Sequence, residues 1–299
     1  MVKLPGYIKA ILKIALSVAA LWYVFTKIDF QEVTLIFRNV NYVWLVAAML
    51  FFALSKVFSS FRLNLFFSNI GVGLTEASNL RLYLLGMYYN LFLPGGIGGD
   101  GYKIFLLNRK YHTKAKKLFW AVLLDRVNGV LALFVLAMIL ALLIPIPLIY
   151  KYFAAGLIPV SIITYYAGIH WFFKDFKTSL NKTNLYSLAV QVAQLISAWF
   201  ILYANNNQDQ TLSYLFLFLI SSIVATLPIT IGGIGSREIT FLFGAELMQL
   251  DIHQSIALSL LFYVITALVS LFGIYFSLNE KALKLQLSGN VVIHDIENQ

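Results

Sequence analysis

The feature that most limits the possible fold is a set of long apolar blocks without charge. Residues 127–150, for example, contain no charged side chain, and about 20 apolar residues are enough to cross a membrane as a helix. The 299-residue chain is 60% hydrophobic and only 12% charged, whereas about a quarter of the residues of a soluble protein are charged. These proportions exclude an ordinary soluble domain and predict an all-α polytopic membrane protein.

The uncharged blocks predict about six full transmembrane helices. These lie near residues 8–26, 40–58, 118–144, 148–170, 184–204 and 255–278. The first follows a basic N-terminus, as in a signal peptide, but no small-residue cleavage site follows Ala20, so we expect an uncleaved helix. We expect one transmembrane domain over residues 1–280 and a short cytoplasmic tail at 281–299.

Lysine and arginine residues set the predicted orientation, because cytoplasmic loops carry an excess of them. Lys27, Arg38 and Lys151 fall on one predicted side, together with the polar loop 205–209, which has no basic residue. Seventeen fall on the other side: Lys3, Lys9, Lys13, Lys56, Arg62, Arg81, Lys103, Arg109, Lys110, Lys114, Lys116, Lys117, Lys174, Lys177, Lys182, Lys281 and Lys284. The count predicts that both termini and the loop 99–117 are cytoplasmic. Because the net charge of +9 is distributed in this way, it does not indicate a nucleic-acid partner.

Two further segments, 75–99 and 210–250, are interrupted by proline and glycine. The first lies between two basic loops, and a helix from Leu82 reaches only Leu93, about 18 Å, against a hydrocarbon core of roughly 30 Å. It is predicted to be re-entrant. The second has two halves of about 18 and 14 residues, which suit either a re-entrant hairpin from outside or two short crossings.

The tetrapeptide Gly-Gly-Ile-Gly occurs twice, at 95–98 and 232–235, each time after a Leu-Pro pair and before charged residues. If the charge count is right, the first copy enters from the cytoplasm and the second from outside. Interrupted segments at matching positions of opposite orientation predict an inverted-repeat transporter with its site between the halves. The alternative is two unrelated packing kinks.

The charged residues beside these motifs are the candidate binding residues. A charge inside an apolar segment costs a few kcal/mol if it faces lipid, so each needs a partner or a wet cavity. Arginine binds phosphate in a bidentate fork, and the helix N-termini after the glycines offer N–H groups. The predicted substrate-binding residues are Asp100, Asp125, Arg126, Arg237, Glu238, Gly95, Gly96, Gly98, Gly232, Gly233 and Gly235. The alternative for the pair at 125–126 is an arginine that snorkels to the interface and an aspartate that packs against a loop.

Several chemistries have no support in the sequence. There is no cysteine, and the four histidines lack zinc-like spacing, so no metal site is expected. No Walker A pattern is present, so we expect neither direct ATP coupling nor a cofactor.

Three motifs resemble those of the lysylphosphatidylglycerol synthase transmembrane, or flippase-like, family. They are YNLFLPGGIGGD at 89–100, LDR at 124–126 and LPITIGGIGSRE at 227–238. The resemblance runs from the first helix to about residue 280, and it implies that Asp100, Arg126, Arg237 and Glu238 occupy the polar motif positions of the family. The best known relatives also carry a cytoplasmic aminoacyl-transferring domain and move the aminoacylated lipid across the bilayer.

This sequence ends at Gln299, so the resemblance implies lipid translocation without lipid aminoacylation. Other members of the family are linked to polyprenyl-phosphate glycan pathways. We therefore expect a non-enzymatic flippase of the cytoplasmic membrane for an anionic or zwitterionic phospholipid or lipid-linked precursor, with a lipid-synthesising enzyme as a candidate partner. The alternatives are a membrane-embedded enzyme acting on a lipid phosphate or polyprenyl phosphate, and a non-catalytic partner of such an enzyme.

Overall fold

The computed structural model describes residues 30–92, 97–205, 209–227, 230 and 233–288, together with Ala15, Val18, Trp22 and Thr26. The predicted helix 8–26 and three of the predicted site residues, Gly95, Gly96 and Gly232, therefore lie outside the described residues. The described chain is helical. Its helices are α1 (Phe30–Asn39), α2 (Tyr42–Ser68), α3 (Glu76–Phe92), α4 (Gly98–Tyr111), α5 (Ala115–Leu143), α6 (Leu148–Phe172), α7 (Leu180–Ala204), α8 (Thr211–Thr226), α9 (Ser236–Met248), α10 (Ile252–Leu271) and α11 (Ile274–Leu278). Short 3-10 helices cover Lys174–Ser179 and Glu280–Leu283.

Within the described residues, five helical stretches are long and apolar enough to cross a membrane. They are Tyr42–Ser68, Ala115–Leu143, Leu148–Phe172, Lys174–Ala204 and Ile252–Leu278. Each coincides with one of the predicted spans, which confirms the prediction of an all-α, multi-span membrane protein. Many large apolar side chains on these helices are exposed on the outer surface, such as Phe153 and Trp171 on α6, as expected where a helix contacts lipid.

Two parts of the sequence prediction are wrong. The second span was expected to end near residue 58, yet α2 continues to Ser68, so Lys56 and Arg62 lie inside a membrane helix and not in a loop. Residues 99–117 were expected to be a cytoplasmic loop, yet 98–111 form α4, in which Asp100 and Lys103 are buried. In each case charged side chains were expected to be solvent-exposed loop residues, whereas the structure places them against partners in the protein interior.

The interrupted segments are pairs of short helices. Helices α3 and α4 have 17 and 14 residues, and α8 and α9 have 16 and 13. At 1.5 Å per residue these lengths are roughly 20–26 Å, below the roughly 30 Å of the hydrocarbon core. Within each pair the two helices pack against each other, so each pair forms a helical hairpin with a glycine motif between its helices.

The long helices surround the two hairpins. The most extensive contact is between α2 and α7, while α6 packs mainly against α5 at the periphery. One hydrophobic cluster, which includes Phe52, Phe218, Phe241 and Phe262, surrounds the second hairpin. A separate cluster, which includes Phe66, Phe67, Leu82 and Leu118, surrounds the first. Each hairpin is therefore held in its own part of the core.

Residues 281–288, the start of the predicted tail, pack against the connection between α2 and α3. The amide of Thr75 donates to the carbonyl of Gln286 at 2.9 Å, and the amide of Ser288 donates to the carbonyl of Gly73 at 2.9 Å. The Lys110 ammonium donates to the carbonyl of Leu285 at 2.6 Å. These bonds fasten this end of the chain to the first hairpin.

Candidate functional site

Asp100 lies in the first turn of α4 and binds two cations. Its Oδ1 accepts from the Lys103 ammonium at 3.0 Å, and its Oδ2 accepts from Nε of Arg126 on α5. The side chains of Lys103 and Asp100 are 5% and 12% exposed, whereas that of Arg126 is 32% exposed. One carboxylate thus holds two cations beside the first glycine motif.

Asp125, next to Arg126 in the chain, faces a different partner. Arg62 of α2 donates to it twice, from Nε at 2.7 Å and from Nη2 at 3.2 Å, and donates from Nη1 to the Ser187 hydroxyl at 2.8 Å. The Arg62 and Asp125 side chains are 6% and 10% exposed. This bidentate, buried ion pair is electrically neutral and joins α2, α5 and α7.

A network of neutral polar side chains extends from this ion pair. The Ser187 hydroxyl donates to Asn128, which in turn donates to Asn184 and, at 2.9 Å, to the hydroxyl of Tyr165. Gln191 donates to the carbonyl of Gly129 at 3.3 Å. The network connects α5, α6 and α7 at membrane depth, where each unsatisfied polar group would cost several kcal/mol.

Glu238 is fixed at the start of α9. Its Oε2 accepts from the amide of Gly235 at 2.7 Å, and its Oε1 accepts from the Ser259 hydroxyl of α10 at 2.8 Å. The residue is 3% exposed. Its carboxylate therefore caps the amide of Gly235, as the acidic residue of a capping box does, and attaches the N-terminus of α9 to α10.

Arg237 contacts aromatic rings. Its guanidinium carbon lies 5.0 Å from the ring centre of Phe262 and 5.8 Å from that of Phe218. Within the described residues no carboxylate lies within ion-pair distance of Arg237. This arginine is thus held by cation–π contacts and by its proximity in the chain to Glu238.

Lys56 is the residue that the sequence reasoning missed. Its ammonium lies 4.3 Å from the ring centre of Phe52, and its charge is close enough to Arg237 and Arg62 to be repelled by both. A lysine six residues before an arginine, in a block otherwise free of charge, was the available signal. Both count among the predicted cytoplasmic loop charges, because the predicted span ends near residue 58.

The described glycines of the two motifs lie at or just before the starts of α4 and α9. Gly233 and Gly235 have φ of +81° and +83°, a region that favours glycine, and Gly235 is the N-cap of α9. Gly98 begins α4. The closest approach involves a glycine that was not predicted: a Cβ on Gly99 would overlap the backbone carbonyl of Gly86 on α3.

The predicted residues thus form two groups. Asp100 and Arg126 are in contact at the first hairpin, and Arg237 and Glu238 lie at the start of α9 on the second. Arg62 and Lys56 connect the groups, because Arg62 binds Asp125 and Lys56 is within electrostatic range of both Arg62 and Arg237. In the described part of the chain no group of three or more potential metal ligands is present.

A family model described as "Lysylphosphatidylglycerol synthase TM region" matches residues 10–183 and 177–273 of the chain. The two matched segments together cover both glycine motifs and all of the predicted charged site residues. No curated protein and no solved structure matches the chain.

Proposed function

The chain belongs to the lysylphosphatidylglycerol synthase TM region family, a family associated with phospholipid metabolism, and from that premise we propose that it translocates a lipid across the cytoplasmic membrane. The lipid is a phospholipid or a lipid-linked precursor with an anionic or zwitterionic headgroup. The headgroup passes through a polar route between the two hairpins while the acyl or prenyl chains remain in the bilayer.

The observation that carries this proposal is the pair of short helical hairpins with buried charges at their glycine motifs. Asp100 is the third residue of α4 and Glu238 is the third residue of α9, so each helix that follows a motif has an acidic residue in its first turn. Irregular backbone at membrane depth is tolerated where it is buried in protein or faces a wet cavity. Short, interrupted segments in the two halves are typical of transporter substrate sites.

The packing of the long helices supports an inverted repeat. The order α2, α3–α4 hairpin, α5 corresponds to the order α7, α8–α9 hairpin, α10, with α6 between the two units. Helix α5 packs on α8 of the other unit, α10 packs on α3 of the other unit, and the corresponding helices α2 and α7 pack on each other. These reciprocal contacts are those expected of two related units around a pseudo-two-fold axis.

The charge distribution supports cytoplasmic termini. Lys56, Arg62 and Lys103 leave the count of cytoplasmic loop charges, because Arg62 and Lys103 are buried and Lys56 lies against the buried Phe52 ring within α2. The fourteen that remain still outnumber Lys27, Arg38 and Lys151 on the opposite side, so the positive-inside rule gives the same orientation.

The charges suggest how a headgroup phosphate enters. Arg126 is the more exposed of the two cations on Asp100. If Arg126 turns to a phosphate, Asp100 keeps its bond to Lys103 and is not left as an unpaired buried charge. From there, Lys56 and Arg237 provide further cations toward the second hairpin, past the neutral pair of Arg62 and Asp125.

Membrane-embedded catalysis on a lipid phosphate or polyprenyl phosphate is the alternative. It needs a carboxylate free to act as a general base. Asp100 holds two cations, Asp125 is in a bidentate pair and Glu238 caps α9, and each of these contacts would have to break first. Because all three carboxylates are engaged, the structure favours transport over catalysis. A non-catalytic role as the partner of a lipid-synthesising enzyme gives no reason for buried cations, so transport is favoured over that role as well.

The test uses purified protein in liposomes with a fluorescent headgroup-labelled phosphatidylglycerol and a membrane-impermeant quencher. We expect the protein to raise the quenchable fraction above the one half found in protein-free vesicles. Mass spectrometry of the recovered lipid should find it chemically unchanged. A changed lipid would support the enzyme, and an unchanged lipid that stays in its leaflet, also with a polyprenyl-phosphate probe, would argue against translocation.

A further inference from the structure

Two cations share one aromatic cluster near the second hairpin. The Lys56 ammonium lies 4.3 Å from the ring centre of Phe52, and the Arg237 guanidinium lies 5.0 Å from that of Phe262. The Phe52 and Phe262 ring centres are 5.3 Å apart, and Phe218 lies 4.7 Å from Phe262. We call these three rings and two cations the cationic aromatic cluster.

The positive charge of this cluster is not neutralised within the described residues. Neither Lys56 nor Arg237 forms an ion pair there, and the neighbours that act on Lys56 are Arg237 and Arg62, both of which repel it. Glu238 is adjacent to Arg237, but its two oxygens already accept from Gly235 and Ser259. Arg62 is fully paired with Asp125.

Two like charges at membrane depth are unfavourable unless an anion joins them. Cation–π contacts offset part of the cost of burying each cation, but they do not reduce the repulsion between the two. An anion placed between Lys56 and Arg237 would attract both. The rings surround this position with apolar surface, which strengthens the attraction between ions by lowering the local dielectric constant.

We propose that Lys56 and Arg237 together bind the phosphate group of an anionic lipid headgroup. The guanidinium supplies a planar fork for two phosphate oxygens and the ammonium supplies a compact charge from the opposite helix. This inference rests on the proposed function and deepens it, because it adds a residue on α2 to the site and names the chemical group that is bound.

Binding is tested apart from transport with the variant Ala53→Cys, three residues before Lys56 on the same face of α2. It leaves both cations in place and carries a single thiol because the chain has no cysteine. The reagent is 2-aminoethyl methanethiosulfonate, with the protein in detergent supplemented with one lipid at a time. We expect phosphatidylglycerol to slow modification at least about threefold, since the phosphate occupies the position between the side chains. Phosphatidylcholine and inorganic phosphate should slow it less, which separates an anionic lipid from a zwitterionic one and from a free anion.

Three results would overturn the assignment. Equal modification rates with and without phosphatidylglycerol would mean that no phosphate binds there, and equal protection by phosphatidylcholine would remove the requirement for an anionic headgroup. Protection by inorganic phosphate alone would reduce the cluster to a simple anion site. Protection by phosphatidylglycerol in a protein that moves no lipid would leave the phosphate site intact and reject the transport function instead.

Transport provides a second readout. Lys56→Met keeps the apolar stem and removes the charge, and we expect at least about a tenfold slower translocation because hydrogen bonds to charged groups are strong. Lys56→Arg should remain within about threefold of the native rate, since the charge is kept. Modification of Lys56→Cys with the same aminoethyl reagent restores an ammonium and should restore activity, so a folding defect is distinguished from a lost charge.

The control is Lys182→Met on the exposed face of α7, which removes a positive charge away from the cluster and should have no effect. If Lys56 and Arg237 bind one phosphate, combining Lys56→Met with Arg237→Gln should slow transport less than the product of the single effects. A native rate in Lys56→Met, or effects that multiply, would contradict a shared phosphate.

Discussion

The buried charges of this protein differ in how far they are neutralised. Arg62 and Asp125 neutralise each other, Asp100 holds both Lys103 and Arg126, and Arg237 lies on aromatic rings. A neutral, bidentate pair has no charge left for a ligand, whereas a cation that shares its carboxylate with a second cation, or that lies on aromatic rings, can bind one. We therefore expect Arg126 and Arg237 to bind the substrate, and Arg62 and Asp125 to stabilise the fold.

Replacement of Arg126 or Arg237 by lysine should slow lipid translocation. Lysine keeps the charge of Arg126 or Arg237 and loses the planar fork, so we expect either substitution to leave the protein folded and to slow translocation at least about fivefold. Glu238→Gln should also slow it, because a neutral amide holds the N-terminus of α9 less firmly. Liposome transfer rates and elution profiles from size-exclusion chromatography measure the two effects. Native transfer rates in all three variants would make these residues structural.

Substitutions in the Arg62–Asp125 pair should lower the stability of the protein. Removing one partner of a buried ion pair leaves an unpaired charge and typically costs about 3–5 kcal/mol. We expect Asp125→Ala to lower the thermal midpoint in detergent clearly, and Arg62→Met combined with Asp125→Leu to be more stable than Asp125→Ala alone. Asp209→Asn, at an exposed position, is the control. A midpoint for Asp125→Ala equal to that of the control would show that the pair does not hold the helices together.

At the scale of elements, the hairpins depend on close contact between short helices. Gly99 lies against the carbonyl of Gly86 in the first hairpin, and in the second Gly244 lies against Leu217 and the backbone at Gly235 has positive φ. Glycines thus have two different roles, one in packing the helices of a hairpin and one in shaping the connection between them.

Substitutions should separate these two roles. Gly98→Leu and Gly235→Leu add bulk at the connections. At Gly235, where φ is positive, a non-glycine residue also costs about 1–2 kcal/mol. We expect both variants to accumulate in the membrane but not to transport lipid. Gly99→Leu should prevent accumulation, because its side chain would overlap α3. Gly101, whose Cβ would meet nothing within 4 Å, is the matched control, and Gly101→Leu should behave as native. Failure of Gly98→Leu and Gly235→Leu to accumulate would place these glycines in packing as well.

The sequence predicted the long helices more successfully than the residues between them. Uncharged blocks locate α5 and α6 to within a few residues, because the apolar length needed to cross a membrane is a local property. Helix α4 and the second half of α2 were missed because Asp100 and Arg62 form ion pairs with residues that are distant in the chain. Arg62 and Asp125 are 63 positions apart in the chain, and no local pattern reveals such a partner.

Contacts between distant residues also limited what the sequence could predict about the candidate site. Each glycine motif and the acid that follows it were visible in the sequence, and two of the predicted site residues, Asp100 and Arg126, are in contact. The aromatic cluster that Lys56 shares with Arg237 was not visible, because it depends on the packing of α2 against α10, which carries Phe262. A repeat can be found in a sequence, whereas a contact between its halves requires the fold.

At the scale of the whole molecule, the reciprocal packing of the two units makes the orientation of the chain testable. If the units are inverted, the connection before α5 and the connection before α8 face opposite sides of the membrane. Lys114 and Asp209 lie in these connections, and both are exposed. Because the native chain has no cysteine, Lys114→Cys and Asp209→Cys each introduce a unique thiol.

We expect an impermeant maleimide added to intact cells to label Asp209→Cys and to label Lys114→Cys only after the membrane is permeabilised. The reason is the positive-inside rule, since Lys114, Lys116 and Lys117 are exposed basic residues at the start of α5. Quantitative labelling after permeabilisation serves as the control for access to each thiol. Labelling of both variants from outside would place the two connections on one side of the membrane. The two hairpins would then enter the membrane from the same face, and this result is incompatible with inverted units.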